Sequence, residues 1–262
     1  MIPIKDYPGP RRRLPWVTWG IIAVNIAVFL YQVSLGPDAP AFMFAYSVVP
    51  IALTHGVPQT SLPGVPAHLP FHTPNPVYLT IITAMFLHAG WLHIGGNMLF
   101  LYIFGDNVED RMGHLPYLVF YLFCGVIASI TQVAIDPGSP VPSLGASGAI
   151  AGVLAAYLVL FPWARVRTII FIFIFFTIVT LPAIILIGLW FLLQFFDGVA
   201  SLSTVQQGMG GVAYFAHVGG FIAGLVITLL FRPLLRPPAP TSYPYLPRHS
   251  GAVNAREWWQ RP

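Results

Sequence analysis

Two polar side chains that can act together in nucleophilic catalysis lie beside or within apolar segments of this chain. Ser147 stands among small residues in GASG at 145–148, where a glycine- and proline-rich stretch turns into an apolar run. His217 lies among small residues in AHVGG at 216–220, inside a later apolar run. A neutral imidazole within hydrogen-bond reach activates a serine hydroxyl as a nucleophile. The two clusters therefore predict a serine hydrolase site if the fold brings them together.

Glycines at matching spacings favour a close approach of these two segments. Gly148 precedes Gly152 by one helical turn, and Gly220 precedes Gly224 in the same way. Small residues at this spacing let the backbones of membrane helices touch. We therefore expect the imidazole to come within reach of the serine hydroxyl. Packing without chemistry is the alternative interpretation of either cluster alone, because such pairs occur in many membrane helices.

A second polar patch offers hydrogen-bond donors. His93 and Asn97 are one turn apart, so they share a face if this segment is helical. Such a pair can also simply hydrogen-bond two membrane helices to each other. The backbone N–H of Ser147, at the start of its helix, suits a developing oxyanion. We expect Asn97 and His93 to complete an oxyanion hole with it.

Carboxylates and metal ligands are not expected in this site. None of the eight Asp and Glu residues lies in the core of an apolar run, so the sequence predicts a Ser-His dyad rather than a triad with aspartate. His55, His68 and His72 lie in a long connection without acidic neighbours and are expected to be solvated. We therefore expect neither a metal ion nor a cofactor.

Composition places these residues in a membrane. The chain is 56% hydrophobic and 8% charged, with a mean hydropathy of +0.76, whereas about a quarter of a soluble domain is charged. Six apolar runs approach the roughly 20 residues that a membrane-spanning helix needs. They are 16–35, 91–104, 115–135, 147–161, 168–196 and 211–231.

The fourth apolar run, 147–161, is short for a membrane span. As a helix it would be about 22 Å long, against a hydrocarbon core of about 30 Å. Its helix must therefore begin below the membrane surface. The loop before it must dip inward, which requires protein or water around its backbone polar groups.

Positive charges predict the orientation. In a six-span topology all 12 Lys and Arg residues fall on one side, which is expected to be cytoplasmic. The predicted units are a cytoplasmic segment at 1–15, a membrane domain at 16–231 and a proline-rich basic tail at 232–262. Both termini would be cytoplasmic, and the site would open to the extracytoplasmic face of a cell membrane, since no transit-like leader is seen. The net charge of +4 then reflects topology and anionic lipid, and no nucleic-acid-binding module is visible.

The order and spacing of the motifs resemble those of the rhomboid family of intramembrane serine proteases. The matching motifs are His93-x-x-x-Asn97, Glu109-x-Arg111-x-Gly113, Gly145-x-Ser147-Gly148 and Ala216-His217-x-x-Gly220-x-x-x-Gly224. The resemblance implies an all-α, six-transmembrane-helix bundle with a re-entrant loop that leads to a short fourth helix. It implies that Ser147 is the nucleophile and His217 the general base. Structural roles are implied for His88, Glu109, Arg111, Gly113, Gly145, Gly148, Gly220 and Gly224.

The resemblance also implies a substrate class. This is a transmembrane segment of another protein, cleaved near the outer face among small or helix-destabilising residues.

The alternative is a catalytically inert relative that binds membrane helices, but such relatives usually lack the serine or the histidine. A channel or transporter would carry polar residues through the whole membrane thickness, whereas here they cluster in the outer half.

Two departures from the family pattern are Leu79-Thr80, where many members have Trp-Arg, and Ala151, where some have an aromatic residue beside the histidine.

Overall fold

The computed structural model describes residues 1–9, 12–65, 70–172, 175–201, 213–235 and 237. Within these residues the chain forms ten α-helices and one three-stranded sheet. The helices are α1 (Trp16–Ser34), α2 (Ala39–Tyr46), α3 (Pro50–His55), α4 (Thr80–Thr83), α5 (Trp91–Phe100), α6 (Asp106–Met112), α7 (His114–Ile135), α8 (Ser147–Leu160), α9 (Ala183–Ser201) and α10 (Tyr214–Phe231). A π-helical segment, Leu101–Gly105, joins α5 to α6.

Several of these helices are long and apolar enough to cross a membrane. In the described part of the chain they are α1, α7, α9 and α10. A fifth candidate span is the bent pair Val77–Phe86 and Trp91–Met112, whose axes meet at 81°. Helix α8 has 14 residues and is shorter than a full crossing. The protein is therefore a mostly helical, multi-pass membrane protein with four to five candidate spans.

A three-stranded antiparallel sheet departs from the all-α prediction. The apolar run 168–196 was predicted to be a span that tilts, kinks or lies partly at the surface, because it is long and contains Pro182. It is instead divided between β2 (Arg165–Ile172), β3 (Phe175–Pro182) and α9. Five of the eight residues of β2 are β-branched, which favours a strand. Hydropathy did not reveal this division, because a continuous apolar run is compatible with either a strand or a buried helix.

The N-terminal segment supplies the third strand of this sheet. β1 (Ile2–Tyr7) pairs with β2, and Ile2 lies opposite Ile169. The carboxylate of Asp6 accepts hydrogen bonds from the Tyr157 hydroxyl at 2.7 Å and from Asn107 Nδ2 at 3.0 Å. Because Tyr157 belongs to α8, the first residues of the chain are tied to the central helix.

Helix α8 forms the buried centre of the structure. Every residue from Gly148 to Tyr157 is buried, as expected for a helix that is apolar on all sides. It packs against α7 and α10. A methyl group on Gly220 would collide with the carbonyl oxygen of Gly148, and one on Gly224 would collide with the backbone of Gly152. Helices α8 and α10 are therefore in direct backbone contact.

The charged segment around Glu109 holds the beginning of α1. Glu109 is 1% exposed, and its carboxylate accepts hydrogen bonds from the Val17 and Thr18 N–H groups at 3.0 and 2.8 Å and from the Thr18 hydroxyl at 2.6 Å. His114 Nδ1 lies 2.6 Å from the same carboxylate. These bonds satisfy N–H groups that have no acceptor within a helix at its N-terminus.

The neighbours of Glu109 extend this attachment. Asp110 accepts hydrogen bonds from the backbone N–H groups of Arg12 and Arg13, at 3.1 and 3.0 Å. The guanidinium of Arg111 lies over the Phe161 ring, 5.4 Å from its centroid. Gly113, with φ of +89°, ends α6 and lets the chain turn into α7.

Replacing Glu109 by alanine is expected to lower the free energy of unfolding by about 3 kcal/mol or more, since each buried donor left unpaired costs about 1–3 kcal/mol. Glu109→Gln keeps one acceptor oxygen and is expected to cost less. The measurement is unfolding in mixed detergent micelles. Equal stability of wild type, Glu109→Ala and Glu109→Gln would show that these hydrogen bonds do not hold α1.

Candidate active site

Ser147 and His217 meet where α8 and α10 begin. Ser147 is the first residue of α8, and His217 lies in the first turn of α10. Nε2 of His217 lies 2.7 Å from Oγ of Ser147. The imidazole is 8% exposed and the serine is partly buried. This is the geometry in which a neutral imidazole accepts the proton of a serine hydroxyl that attacks a carbonyl.

The loop before Ser147 is held by hydrogen bonds to earlier parts of the chain. Val48 and Ser143 exchange two backbone hydrogen bonds, at 2.9 and 2.7 Å, and the Gly145 N–H donates to the Ala84 carbonyl at 2.8 Å. These bonds satisfy the backbone of a loop that leads to a helix within the membrane domain. The long connection after α1 therefore helps to place the serine.

Glycine is required at position 145 by the backbone conformation and by the lack of room for a side chain. Its φ of +121° lies in the region that favours glycine. A Cβ atom there would also lie 2.9 Å from Cε1 and 3.0 Å from Nε2 of His93, and 3.7 Å from Oγ of Ser147. The imidazole of His93 and the hydroxyl of Ser147 therefore both lie next to Gly145.

The hydrogen bonding of His93 defines which of its nitrogens can donate. Nδ1 accepts the Ala89 N–H at 3.3 Å. A neutral His93 ring therefore carries its proton on Nε2, the nitrogen beside Gly145. Asn97 lies one turn further along α5 and is 8% exposed. Among the described residues its Nδ2 has no hydrogen-bond partner, so this donor is available to a bound group.

His88 positions the start of α5. It is 1% exposed, and its ring lies edge-on to that of His93, with 5.1 Å between the centroids. The side-chain amide of Gln32 on α1 donates to the His88 carbonyl and accepts the His88 N–H, both at 3.1 Å. The turn that presents His93 is therefore attached to α1.

Two residues of α9 contact the catalytic candidate His217, and the sequence-based prediction did not include them. Oε1 of Gln194 lies 2.5 Å from Nδ1 of His217. The Trp190 ring lies 5.9 Å from the imidazole, centroid to centroid, at an interplanar angle of 37°. The aromatic neighbour thus comes from α9 rather than from the position of Ala151. A signal was present, because Trp190 and Gln194 are one turn apart and Gln194 interrupts an apolar stretch.

A small cavity of about 20 Å³ adjoins Ser147. Most of its lining is small, and Ser129 and Ser143 contribute hydroxyl groups. The cavity lies between α7, α8 and the beginning of α10, and its volume is enough for about one water molecule beside the serine.

Some sequence predictions concern residues outside the described ranges. They are His68 and most of the tail, residues 236 and 238–262. Within the described ranges, no three His, Cys, Asp or Glu side chains are placed to hold one metal ion.

Comparison with known proteins finds rhomboid relatives. The family model for the Rhomboid domain matches residues 75–234, more than half of the 262-residue chain. Rhomboid-like protein 11, chloroplastic, of Arabidopsis thaliana is 31% identical over 151 residues, 58% of this chain and 44% of that protein. Rhomboid protein 1, mitochondrial, of Saccharomyces cerevisiae is 30% identical over 159 residues, 56% of this chain and 40% of that protein.

A bacterial relative matches over a shorter stretch. Rhomboid protease GluP of Bacillus subtilis is 41% identical over 78 residues, 30% of this chain and 15% of that protein. The chain thus spans less than half the length of these three relatives. The domain match confirms the resemblance seen in the motifs, and the chain belongs to the rhomboid family.

Proposed function

We propose that this protein is an intramembrane serine endopeptidase that cleaves transmembrane segments of other proteins, with Ser147 as nucleophile and His217 as general base. The observation that carries the proposal is the 2.7 Å separation of Ser147 Oγ and His217 Nε2 at the start of α8. Membership of the rhomboid family supports it, as does a relative whose name is Rhomboid protease GluP.

The proposed reaction begins when His217 Nε2 takes the proton of Ser147 and the serine Oγ attacks the carbonyl carbon of the scissile peptide bond. The protonated imidazole then donates this proton to the nitrogen of the leaving segment, and the C–N bond breaks. An acyl-enzyme remains on Ser147. His217 next deprotonates a water molecule, which attacks the ester carbon. The ester C–O bond then breaks, the second product leaves, and His217 returns the proton to Ser147 Oγ.

The negative oxygen of each tetrahedral intermediate needs hydrogen-bond donors. We propose three: the backbone N–H of Ser147, Nδ2 of Asn97 and Nε2 of His93. The first lies among helix N-terminal groups that lack an intrahelical acceptor. The other two are on one face of α5, where Asn97 Nδ2 has no partner among the described atoms. Donors of this kind are each worth about 3–4 kcal/mol of transition-state stabilisation.

We also propose six spans within residues 16–231, with α5 to α6 as the second and the short α8 as the fourth. Both termini and the tail at 232–262 would then lie on the positively charged, cytoplasmic side. This is supported by the bonds from Arg12 and Arg13 to Asp110 and by the pairing of Lys5 with Arg167. The site would open to the opposite face. The names of the relatives include chloroplastic and mitochondrial proteins, so they give no support to a cell membrane in particular.

The test is a cleavage assay with the full chain in lipid vesicles and a panel of single-span proteins whose transmembrane segments carry small or helix-destabilising residues at one end. We expect cleavage inside the hydrophobic segment, with the cut bond mapped by mass spectrometry, and none with Ser147→Ala. Persistent cleavage by Ser147→Ala would refute the site. Stable binding of these segments without cleavage by wild type would instead support an inert adaptor.

A further inference from the structure

We infer that Gln194 is a positioning residue that orients His217 and holds it in the tautomer the reaction requires, so that the site works as Ser147, His217 and Gln194 rather than as a dyad. The inference rests on the proposed function. It concerns a residue of α9 that none of the recognised motifs contains.

The contact defines where the imidazole proton lies. Oε1 of Gln194 lies 2.5 Å from Nδ1 of His217. A carbonyl oxygen only accepts hydrogen bonds, so Nδ1 must carry the proton of the neutral ring. Nε2 then has a free lone pair, and it is the nitrogen 2.7 Å from Ser147 Oγ. This is the tautomer that a general base needs.

The surrounding packing holds the glutamine in place. Phe191 of α9 stacks on Phe221 of α10, with centroids 4.2 Å apart and planes at 23°. Trp190, one turn before Gln194 on α9, lies beside the imidazole. Three contacts between α9 and α10, made by Trp190, Phe191 and Gln194, therefore fix the distance between the amide and the ring. A positioned partner of this kind loses little rotamer freedom when the reaction starts.

An amide suits this position better than a carboxylate would. Burying an ionised carboxylate within the membrane domain is costly, whereas a neutral amide that is hydrogen-bonded is not. Cysteine proteases of the papain type use an asparagine in the corresponding role, next to the histidine. The fold thus obtains the orienting acceptor of a triad without a buried charge.

The experiment compares two substitutions of Gln194 in the full chain. Gln194→Leu keeps the approximate size and removes the acceptor, while Gln194→Glu keeps an acceptor oxygen. We expect Gln194→Leu to lower kcat roughly 10²-fold with little change in KM, the lower end of what a positioned proton-transfer group contributes. A glutamate buried at this position is expected to be neutral, so Gln194→Glu still offers a carbonyl oxygen to Nδ1 and is expected to retain most of kcat.

A spectroscopic measurement separates this role from simple packing. With ¹⁵N-labelled histidine, the imidazole of His217 is expected to show the Nδ1-protonated tautomer in wild type and a mixture in Gln194→Leu. The matched control is Gln132→Leu, which removes an amide that accepts the Ala216 N–H of α10 at 3.2 Å without contacting the ring. It is expected to leave the tautomer unchanged.

Two outcomes would overturn the inference. One is an unchanged kcat and tautomer in Gln194→Leu. The other is a Gln194→Glu protein that is folded and as impaired as Gln194→Leu, since an acceptor would then be irrelevant. If wild type neither cleaves nor labels, the proposed function fails, yet the tautomer measurement still decides whether Gln194 orients His217.

Discussion

Ser147→Ala and His217→Ala are each expected to abolish covalent labelling by a fluorophosphonate and to lower kcat for a transmembrane substrate by about 10⁴-fold or more. In the proposed mechanism the serine supplies the oxygen that forms the bond to phosphorus or carbon, and the histidine, whose Nε2 lies 2.7 Å from that oxygen, removes its proton. Because the two groups act as one unit, we expect the double variant to be hardly worse than either single variant.

Labelling is measured on the purified chain by gel fluorescence, and the modified residue is identified by peptide mass spectrometry. The matched controls are Ser34→Ala and His55→Ala, which remove an exposed serine and an exposed histidine hydrogen-bonded only within their own helices. Both should label and cleave like wild type. Labelling that survives in Ser147→Ala would assign the nucleophile to another residue.

Gly220→Ala is expected to cause a loss of activity of roughly 10²-fold or more, although the methyl group that it adds takes no part in proton transfer. That methyl would meet the Gly148 carbonyl oxygen, which belongs to the backbone of α8 and cannot rotate away. The helices must separate, and misplacing reacting groups by about 1 Å can cost 10²-fold in rate. Overpacking also destabilises, typically by about 1–3 kcal/mol.

Gly20→Ala is the control for this substitution, since a Cβ atom at Gly20 of α1 meets nothing within 4 Å. Fluorophosphonate labelling, cleavage and unfolding of both variants are compared with wild type. If Gly220→Ala cleaves and unfolds like Gly20→Ala, then the contact between α8 and α10 does not hold the serine and the histidine together.

The close approach of α8 and α10 was predictable because it depends on residue size at a fixed spacing. Gly148 with Gly152, and Gly220 with Gly224, identify faces of two helices before their packing is known. The membrane class follows from composition in the same way, since hydropathy is a sum over residues. The position of Ser147 at a helix start could be predicted from the glycines and prolines before it and the apolar run after it.

The sheet was not predictable from the same patterns. An apolar run of about thirty residues satisfies the length of a span, so strands β2 and β3 were hidden inside it. β2 and β3 pair with each other, and β2 also pairs with β1, which comes from the N-terminal segment before α1. Pairing between distant segments leaves no periodic signal in either of them.

The sequence by itself determined the membrane class, the family and the pair Ser147 and His217, because these depend on residue types and local spacing. The tertiary structure decided what surrounds the pair. Gln194 and Trp190 reach the imidazole because α9 packs on α10 with one particular face, and His93 reaches Gly145 because the loop before α8 bonds to Ala84. When a helix is apolar on almost all sides, hydropathy does not indicate which face turns inward. The packing of the neighbouring helices decides that face.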